Sequence, residues 1–516
     1  MHEFFSEMHL KFLLFAAAFL CVSNGIEGSK ILGVFWTPSK SHHILGSALL
    51  QALAKKGHNV TLLSPFIDDV DIPTFKQIKL EGIIGTTAAG LQPNLTFSTA
   101  IRTVWSALGG LTRIFFENKP VKDLIVSKEQ YDVILSVNFM NDGILALNHH
   151  LRAPTILIWT GASSFAINRY VANPNMPYSQ NPIFVTGSHT SFIARLLTTS
   201  ANAIVTGVLN HIFGPIQESV ARSYLPDCPP VSELRNNISL VMVNSHLSLE
   251  STRPYVPNMV QIGGFYAQTA KKLPDDLQKY LDSAKEGAIL FSFGTNMKIK
   301  DMDEDKLKAI LEGLRKIAPM KVVFKSEIEL KNAPKNVLVS KWLPQNDILA
   351  HPNIKAFITH GGLGGNTESV YHGVPMIGIP LFADQKSNVE NAVQAGYAIK
   401  ISYEDITQET VDKALEEILK NPSYSKMAKK RSSLLKNQPI NPLDKAIWWV
   451  EHIIEHKGGE HLRNLGMDLE WYQLYMVDII LFYLVVIVIW SASSFLTLRW
   501  VIRKLFFRSS KKTKKD

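Results

Sequence analysis

The chain has 516 residues and a mass of 57.7 kDa, which predicts two or three domains. Since 46% of the residues are hydrophobic and 19% are charged, the composition excludes a disordered chain and a protein made of many membrane spans. The net charge of +9 is concentrated near the C-terminus, where the segment from Arg499 onward carries eight basic residues and one acid. The charge of the remaining body therefore predicts no groove for nucleic acid.

The N-terminal end is typical of a signal peptide. Lys11 precedes an apolar run from Phe12 to Val22, which is short for a membrane span and is followed by small residues. We assign residues 1–28 to the signal, with a short signal anchor as the alternative. The chain has two cysteines, Cys21 and Cys228, so removal of the signal would leave one thiol and no internal disulfide.

An uncharged stretch of twenty residues, Ile479–Leu498, predicts a transmembrane helix over 477–498. Acids precede it and eight basic residues follow, so the positive-inside rule places the tail 499–516 in the cytosol and the body in the lumen. A buried core helix is the alternative, which the asymmetric flanks disfavour. Lys512 and Lys514 resemble a dilysine retrieval signal, which predicts a single-pass type I protein of the endoplasmic reticulum; a basic patch for anionic lipid is the alternative.

Three N-x-S/T sequons, at Asn59, Asn94 and Asn237, fit a lumenal body. Asn59 opens a predicted buried strand, so we expect it to carry no glycan.

Between the two ends the pattern repeats strand, loop and helix, which is typical of parallel sheets covered by helices. We predict an α/β fold of two doubly wound, Rossmann-like domains that face a cleft, followed by the membrane helix. The divisions are an N-terminal domain 29–262, a linker 263–286, a C-terminal domain 287–440, and a returning helix with a juxtamembrane segment 441–470. One predicted helix is Ile44–Lys56, and the predicted strands are Lys30–Trp36, Asn59–Ser64, Asp132–Val137, Thr155–Trp159, Leu240–Asn244, Ala288–Phe293, Lys321–Phe324, Val337–Ser340, Lys355–Thr359 and Met376–Ile379.

The residue types that bind nucleotides are densest between Trp342 and Gln385. A buried strand is predicted to end at Thr359, and His360 follows at its carboxyl edge. Glycines then open a helix, and backbone N–H groups at a helix N-terminus bind phosphate; these glycines are Gly361, Gly362, Gly364 and Gly365. A tight turn that serves only packing is the alternative.

Side chains around this turn could complete a nucleotide-sugar site. Glu368 lies one or two turns into the helix, where a carboxylate can hold ribose hydroxyls. Trp342 offers an aromatic face for a base, and Gln345 offers an amide for the edge of that base. Asp384 and Gln385 supply an acceptor and a donor suited to sugar hydroxyls.

In combination, these residues closely resemble the signature of the UDP-glycosyltransferases, the family of microsomal glucuronosyltransferases and their invertebrate relatives. The resemblance extends over the whole chain, through the segments Val243–His246, Pro257–Gly264, Leu273–Thr295 and Lys457–Arg463. It implies the GT-B fold, with the UDP-sugar in the C-terminal domain and an apolar acceptor in the N-terminal domain. It also implies that Trp342 and Gln345 face uracil and that Glu368 takes the ribose. His360, the glycine backbone and Thr295 would take the diphosphate, and Asp384 and Gln385 would take the sugar.

The segment Pro38–His43 resembles the catalytic loop of the family, which implies that His42 is the general base for the acceptor hydroxyl. We interpret the neighbouring His43 as a polar loop residue. The family usually places a carboxylate behind the histidine, and that position falls on Val137 here. Asp142, five residues further on, is the candidate substitute, with a helix-start residue favoured by the helix dipole as the alternative.

Two patterns that resemble metal sites are discounted, so we expect no metal. The three acids Asp301, Asp303 and Asp305 precede a predicted helix, where Asp301 and Glu304 would form a capping box. The segment His452–His456 matches H-x-x-E-H but lacks a third ligand, and its helix is amphipathic. The resemblance implies that this helix returns across the cleft to the N-terminal domain.

The sequence therefore predicts an enzyme that transfers a hexose from a UDP-sugar to the hydroxyl of a small lipophilic acceptor, with inversion, as in detoxification. Analogy with invertebrate members favours UDP-glucose as the co-substrate, and no other cofactor is expected. Two alternatives remain: a catalytically weak relative that binds lipophilic ligands, and a UDP-sugar epimerase. The segments Ile84–Phe116 and Thr160–Phe213 are expected to line the acceptor site; the acceptor and the oligomeric state stay open.

Overall fold

The computed structural model describes residues 28–84, 109–139, 141–178, 191–267, 270–294, 298–330, 332–381 and 384–506. It contains two compact units, a body that ends at Arg463 and a C-terminal unit that starts at Asn464. Several predictions fall outside the described residues, namely those on the signal segment with Cys21, on Asn94, on Thr295, and on Lys512 and Lys514.

The first sheet of the body has seven parallel strands in the order β3-β2-β1-β4-β5-β6-β7. Its inner strands are covered on both faces, which is why their sequences are almost continuous apolar runs; all five residues of β4 are buried. The strands are β1 Lys30–Val34, β2 Asn59–Ser64, β3 Phe75–Lys79, β4 Val133–Val137, β5 Thr155–Trp159, β6 Ile238–Val243 and β7 Met259–Gln261.

The second sheet has six parallel strands in the order β10-β9-β8-β11-β12-β13. They are β8 Ala288–Ser292, β9 Lys321–Lys325, β10 Val337–Ser340, β11 Ile354–Thr359, β12 Met376–Gly378 and β13 Ala398–Lys400. In both sheets the chain order reverses beside the first strand, so a crevice opens there at the carboxyl edge, where such folds bind ligands.

All ten predicted strands are present, with bounds that differ by at most two residues. Three further strands, β3, β7 and β13, were not predicted. Each lies at an edge of its sheet. An edge strand is covered less completely, so sequences such as FKQIK and AIK carry no long apolar run.

Helices cover the sheets. The α-helices of the body are Lys40–Lys55, Lys119–Val126, Leu145–His150, Phe165–Asn168, Phe192–Val208, Gly214–Tyr224, Val231–Asn236, Asp275–Asp282, Glu304–Lys316, Gln345–Leu349, Leu363–His372, Gln385–Gln394, Gln408–Lys420, Pro422–Lys436 and Pro442–Glu455. Residues 109–117 are also helical, and a π-helical stretch, Leu209–Phe213, joins two of the helices.

Two predicted helix starts are wrong. The first helix begins at Lys40 instead of Ile44, so Lys40 to His43 form a helical turn and not a loop. The predicted capping box fails because the helix Glu304–Lys316 is preceded by Asp303 at the N-cap, without a side-chain cap hydrogen bond. Asp301 belongs instead to a separate 3₁₀ turn.

The segment predicted as a linker contributes to the core of the second sheet. Leu277 and Leu281, on the helix Asp275–Asp282, pack in one buried cluster with Leu290 of β8. Burial of each leucine is worth about 1.5–3 kcal/mol, so this half of the segment is part of the second domain.

The helix Pro442–Glu455 packs on the first sheet, although it follows the second sheet in the chain. Val450 and Ile453 are fully buried in the core of the first sheet. Glu451 accepts hydrogen bonds from Lys56 at 2.7 Å and from His58 at 3.2 Å. The helix thus packs on the N-terminal domain, as the resemblance implied.

Two of the sequons lie on described residues, and both asparagines are exposed. Asn59 begins β2, but its side chain lies at the surface and donates to the Gly28 carbonyl at 3.2 Å. Burial, the reason for expecting no glycan on Asn59, therefore does not apply. Asn237 precedes β6 and is also exposed.

The C-terminal unit contains the helices Trp471–Leu474 and Val477–Phe506. Among the described residues, two helical stretches are long and apolar enough to cross a membrane. Val477–Phe506 has a mean hydropathy of 2.5 and is not buried, whereas Phe192–Tyr224 has 1.4 and belongs to the body. The predicted membrane segment is thus a continuous helix that extends past its predicted end at residue 498.

Candidate active site

His42 lies in the first turn of the helix Lys40–Lys55, which follows β1. Its Nδ1 is 2.9 Å from the Thr37 hydroxyl, and its Nε2 is 3.2 Å from the Thr160 hydroxyl. The Phe139 ring contacts the imidazole edge-on at 5.3 Å. Burial lowers the pKa of His42 to about 4, so the ring is neutral near pH 7 and can accept a proton.

Two threonine hydroxyls, and not a carboxylate, hold this imidazole in the described part of the chain. Val137, at the position where the family usually has an acid, is buried at the end of β4, and its carbonyl accepts a hydrogen bond from the Trp36 indole at 3.1 Å. A hydroxyl can orient a histidine, but it cannot neutralise an imidazolium as a carboxylate does.

The structure does not bring Asp142 to His42. Asp142 is buried and forms an ion pair with Arg169 at 2.7 Å and with Arg235 at 3.6 Å. It also accepts hydrogen bonds from Tyr170 and, at 3.2 Å, from Asn138. Burial opposes ionisation of Asp142, but the two arginines outweigh it and hold the pKa below its ordinary value. The residue begins a 3₁₀ turn, which agrees with the helix-start alternative.

The interpretation of His43 as a polar loop residue is wrong. Its ring is buried, with Nδ1 2.8 Å from the Ser64 hydroxyl and Nε2 3.0 Å from Asp68. Asp68 also accepts hydrogen bonds from Ser47 and from Gln51 on the same helix. The sequence carries a signal for this network, since the polar residues His43, Ser47 and Gln51 recur every four positions on one helix face.

On the second sheet, His360 follows β11 at its carboxyl edge, as predicted. Glycine backbones approach the ring closely: a Cβ added at Gly294 would lie 2.8 Å from it, and one at Gly362 would lie 2.6 Å from it. Burial, with a smaller contribution from Lys325, lowers the pKa of His360 to about 4. A neutral imidazole in this position can donate a hydrogen bond to an anion.

The glycine run opens a helix, as predicted. Gly361 has φ +78°, a left-handed conformation that favours glycine, and Gly362 is the N-cap of the helix Leu363–His372. Gly364 and Gly365 lie in its first turn, where N–H groups lack helical partners. This N-terminus, with His360 beside it, can bind a phosphate group.

The structure brings Gln345 and Glu368 together. Gln345 begins a short helix after β10, and its Nε2 donates to Glu368 Oε2 at 2.7 Å. Burial raises the pKa of Glu368 to about 7. A carboxylate in this position can accept hydrogen bonds from two vicinal hydroxyls, as the ribose assignment requires.

We expect Glu368→Gln to weaken UDP binding by about tenfold or more, because a charge-assisted hydrogen bond is lost. Its raised pKa also means that Glu368 contributes stability at low pH that is lost as the pH rises from about 4.5 through 7, since the folded protein binds the extra proton, and Glu368→Gln should lack this contribution. Calorimetric titration with UDP and melting curves at several pH values test both effects. Unchanged UDP affinity, or an unchanged pH dependence of melting, would contradict the corresponding role.

Trp342 is 61% exposed, so part of its ring is accessible to a ligand. Two ammonium groups lie over its ring, Lys40 at 5.0 Å and Lys325 at 5.1 Å from the centroid. Lys325 also donates to the Gly294 carbonyl at 2.7 Å. Sequence reasoning missed both lysines because they come from β9 and from the helix that carries His42, far from the glycine-rich segment.

Asp384 and Gln385 lie at the start of the helix Gln385–Gln394, where Asp384 is the N-cap and accepts a hydrogen bond from Asn388 at 2.7 Å. Gln385 is buried, and its Oε1 accepts the Leu381 N–H at 2.9 Å. Gln385 therefore holds the turn that precedes the helix, and Asp384 is the more accessible of the pair.

Within the described ranges, no three His, Cys, Asp or Glu side chains are grouped as the ligands of a metal ion. In the H-x-x-E-H segment, His452 Nε2 lies 2.8 Å from Nε2 of His461, which comes from the following 3₁₀ turn.

A family profile described as UDP-glucoronosyl and UDP-glucosyl transferase matches residues 96–513. UDP-glucosyltransferase 2 of Dactylopius coccus is 32% identical and covers 92% of this chain and 93% of its own length. UDP-glucuronosyltransferase 2B15 of Rattus norvegicus is 30% identical and covers 98% of each chain. Among solved structures, glycosyltransferase VinC in complex with dTDP matches with a TM-score of 0.58 at 15% identity, covering 83% of this chain and all of its own.

The two parallel sheets and this structural match define the GT-B fold. The profile covers most of the sequence, and the two relatives align along almost its whole length. The chain belongs to the UDP-glycosyltransferase family and is an enzyme that transfers a glycosyl group from a UDP-sugar.

Proposed function

We propose that the protein transfers a hexose, with glucose as the first candidate, from a UDP-sugar to the hydroxyl of a small lipophilic acceptor. The observation that carries the proposal is a pair of histidines, His42 in the first turn of the helix after β1 and His360 directly after β11. Burial lowers the pKa of both, so both rings are neutral at pH 7. The insect and rat relatives are named for different sugars, so the choice of glucose is tested by experiment.

In the proposed mechanism, His42 removes the proton of the acceptor hydroxyl as that oxygen attacks the anomeric carbon. The attack takes place opposite the UDP leaving group, so the configuration is inverted. Thr37 and Thr160 orient the imidazole through their hydroxyls. The proton then rests on a partly buried ring, a state that its low pKa makes unfavourable, so passage of the proton to solvent completes the step.

The leaving diphosphate is proposed to lie at the N-terminus of the helix Leu363–His372, beside His360. Backbone N–H groups there, with Lys325 nearby, would stabilise the charge that develops as the glycosidic bond breaks. Trp342 and Gln345 would hold the uracil, Glu368 the ribose, and Asp384 the sugar. Thr295, outside the described residues, is proposed as a further diphosphate contact.

A transfer assay read by mass spectrometry tests the proposal. Membranes that carry the full chain are incubated with UDP-glucose, UDP-glucuronate or other UDP-sugars and with a panel of phenols and alcohols; membranes with the His42→Ala variant are the control. A product heavier by one hexose, absent from the control, supports the proposal and identifies the donor. UDP binding without any product would instead favour a catalytically weak relative that binds lipophilic ligands. That alternative rests on Val137, which stands where the family usually has a carboxylate behind the histidine.

We expect the metal chelator EDTA to leave turnover unchanged, because charge on the diphosphate would be stabilised by the helix terminus and side chains instead of a cation. Initial rates with and without EDTA, in buffer free of added metal, test this expectation. Strong inhibition that is reversed by added Mg²⁺ or Mn²⁺ would revive a metal role for the acids at 301–305.

We further propose that the enzyme is a single-pass protein of the endoplasmic reticulum membrane. The helix Val477–Phe506 is long enough to span, and basic residues follow its apolar part. Fusion of a glycosylation tag to each end, followed by glycosidase digestion, tests which side of the membrane each end occupies.

A further inference from the structure

A cavity of about 720 Å³ lies at the opposite edge of the first sheet from His42. It is lined by Thr155 and Ile238, the first residues of β5 and β6. The partner of His42, Thr160, follows the last residue of β5. About 15 Å of strand therefore separates the cavity from the proposed catalytic site. A substitution at one of these places can thus be made without a change in the other.

The wall of this cavity contains a buried amide without partners. Asn148 is 3% exposed, and neither its Nδ2 nor its Oδ1 makes a hydrogen bond. A buried amide is almost always hydrogen-bonded, because it loses its water on burial. Asn148 is thus suited to a ligand, or ordered water, that supplies both an acceptor and a donor.

Cations line the same cavity. Arg152, Lys457 and Arg463 contribute three positive charges, and Glu460 contributes one negative charge. Arg463 is held in place by the Asn236 carbonyl, to which it donates at 2.6 Å. The lining is therefore positive overall and suits an anion.

The backbone is strained at two of these cations. Arg152 has φ +55° and Lys457 has φ +53°, values that residues other than glycine rarely adopt. Strained residues tend to occur at ligand sites, where the surrounding structure holds them in place. Each of the two residues directly follows the C-cap of a helix, Leu151 or His456, where a left-handed residue ends the helix, so these turns fix where the two cations lie.

We propose that this cavity binds a phosphate ester that carries a neighbouring hydroxyl. The phosphate would pair with Arg152 and Lys457, while the hydroxyl and an ester oxygen would satisfy the two polar atoms of Asn148. Such a group occurs in the head group of phosphatidylglycerol and in free glycerol phosphate. The apolar helix starts fourteen residues after Arg463 in the chain, which makes a membrane lipid the first source to test.

Binding is measured on the full chain in detergent, by calorimetry with three probes: dihexanoyl phosphatidylglycerol, glycerol 3-phosphate and the zwitterionic dihexanoyl phosphatidylcholine. We expect the first probe to bind, and Lys457→Gln and Arg152→Gln each to weaken its binding about tenfold or more. Lys430→Gln, a matched change on an exposed helix elsewhere, should have no effect. His42→Ala should also leave this binding unchanged, which separates the site from catalysis.

Asn148→Leu gives a second, independent measurement. It should abolish binding and also raise the melting temperature of the unliganded protein, because a buried amide without partners is replaced by an apolar group of similar size. A variant that folds and melts higher but binds the probe normally would overturn the proposal.

The probes also distinguish the sources of the ligand. Binding of the anionic lipid but not of glycerol 3-phosphate supports a membrane lipid, and equal binding of both supports a soluble phosphate ester. Equal affinity for phosphatidylcholine, or no binding of any probe, would overturn the proposal. Binding that appears only in Asn237→Gln would show that a glycan on this lining residue fills the cavity, which would also overturn it.

Discussion

Replacement of His42 with alanine is expected to lower kcat/KM by about 10²–10⁴-fold, the contribution of a positioned general base. UDP affinity should stay unchanged, because the proposed uracil and ribose contacts come from the second sheet. The neighbouring histidine is the matched control. His43→Ala should lower the melting temperature, since it leaves Asp68 without its imidazole partner, yet folded protein should keep most of its turnover.

The pH dependence of the wild type tests the same assignment. Because burial lowers the pKa of His42 to about 4, the base stays neutral from pH 5 to 8, and its contribution to the rate should be flat over that range. Activity should fall only as the pH approaches 4. The contribution of His42 to folding stability should also fall as the pH drops from about 6.5 to 4, because only the unfolded imidazole takes up the proton. A rate that halves near pH 6.5 would contradict a base that stays neutral down to about pH 4.

Asp142→Asn is expected to lower the free energy of unfolding by about 3–5 kcal/mol. The variant keeps the shape of the side chain but removes the charge that compensates Arg169 and Arg235, both of which are largely buried. Urea denaturation of the wild type and the variant measures the difference.

Asp123→Asn is the control, because Asp123 pairs with Lys119 on an exposed helix and such pairs contribute about 1 kcal/mol or less. If Asp142→Asn is as stable as the wild type but loses turnover, Asp142 supports the base, as the sequence-based hypothesis stated. A destabilised variant whose folded fraction turns over normally would identify Asp142 as the anion of a buried ion-pair network.

Much of the fold follows from local sequence patterns. A strand inside a parallel sheet is covered on both faces, so runs such as VILSV and AILFS indicate buried strands without further information. The glycines after β11 likewise indicate a helix that starts at a tight turn. The same reasoning misses strands at the sheet edges, where burial is partial. It also chose the wrong acid at the start of the helix Glu304–Lys316, where Asp303 and not Asp301 is the N-cap.

The candidate site is less predictable, because its contacts join distant segments. Gln345 and Glu368 are 23 positions apart, and His43 and Asp68 are 25 apart. Which histidine of the tandem pair has a carboxylate partner depends on the direction in which each side chain leaves the helix. The resemblance implies that His42 is the base, and the structure adds that two threonine hydroxyls contact His42 while Asp68 contacts His43.

The sequence by itself determined the two α/β halves, the apolar C-terminal helix and the nucleotide-binding segment, because hydrophobic periodicity and glycine position act over a few residues. Only the tertiary structure decided the network around Asp142, the lysines over Trp342 and the basic cavity with its unpartnered Asn148. Those features arise where strands and helices from separate parts of the chain meet, and electrostatic and hydrogen-bond partners depend on distance in space and not on distance along the chain.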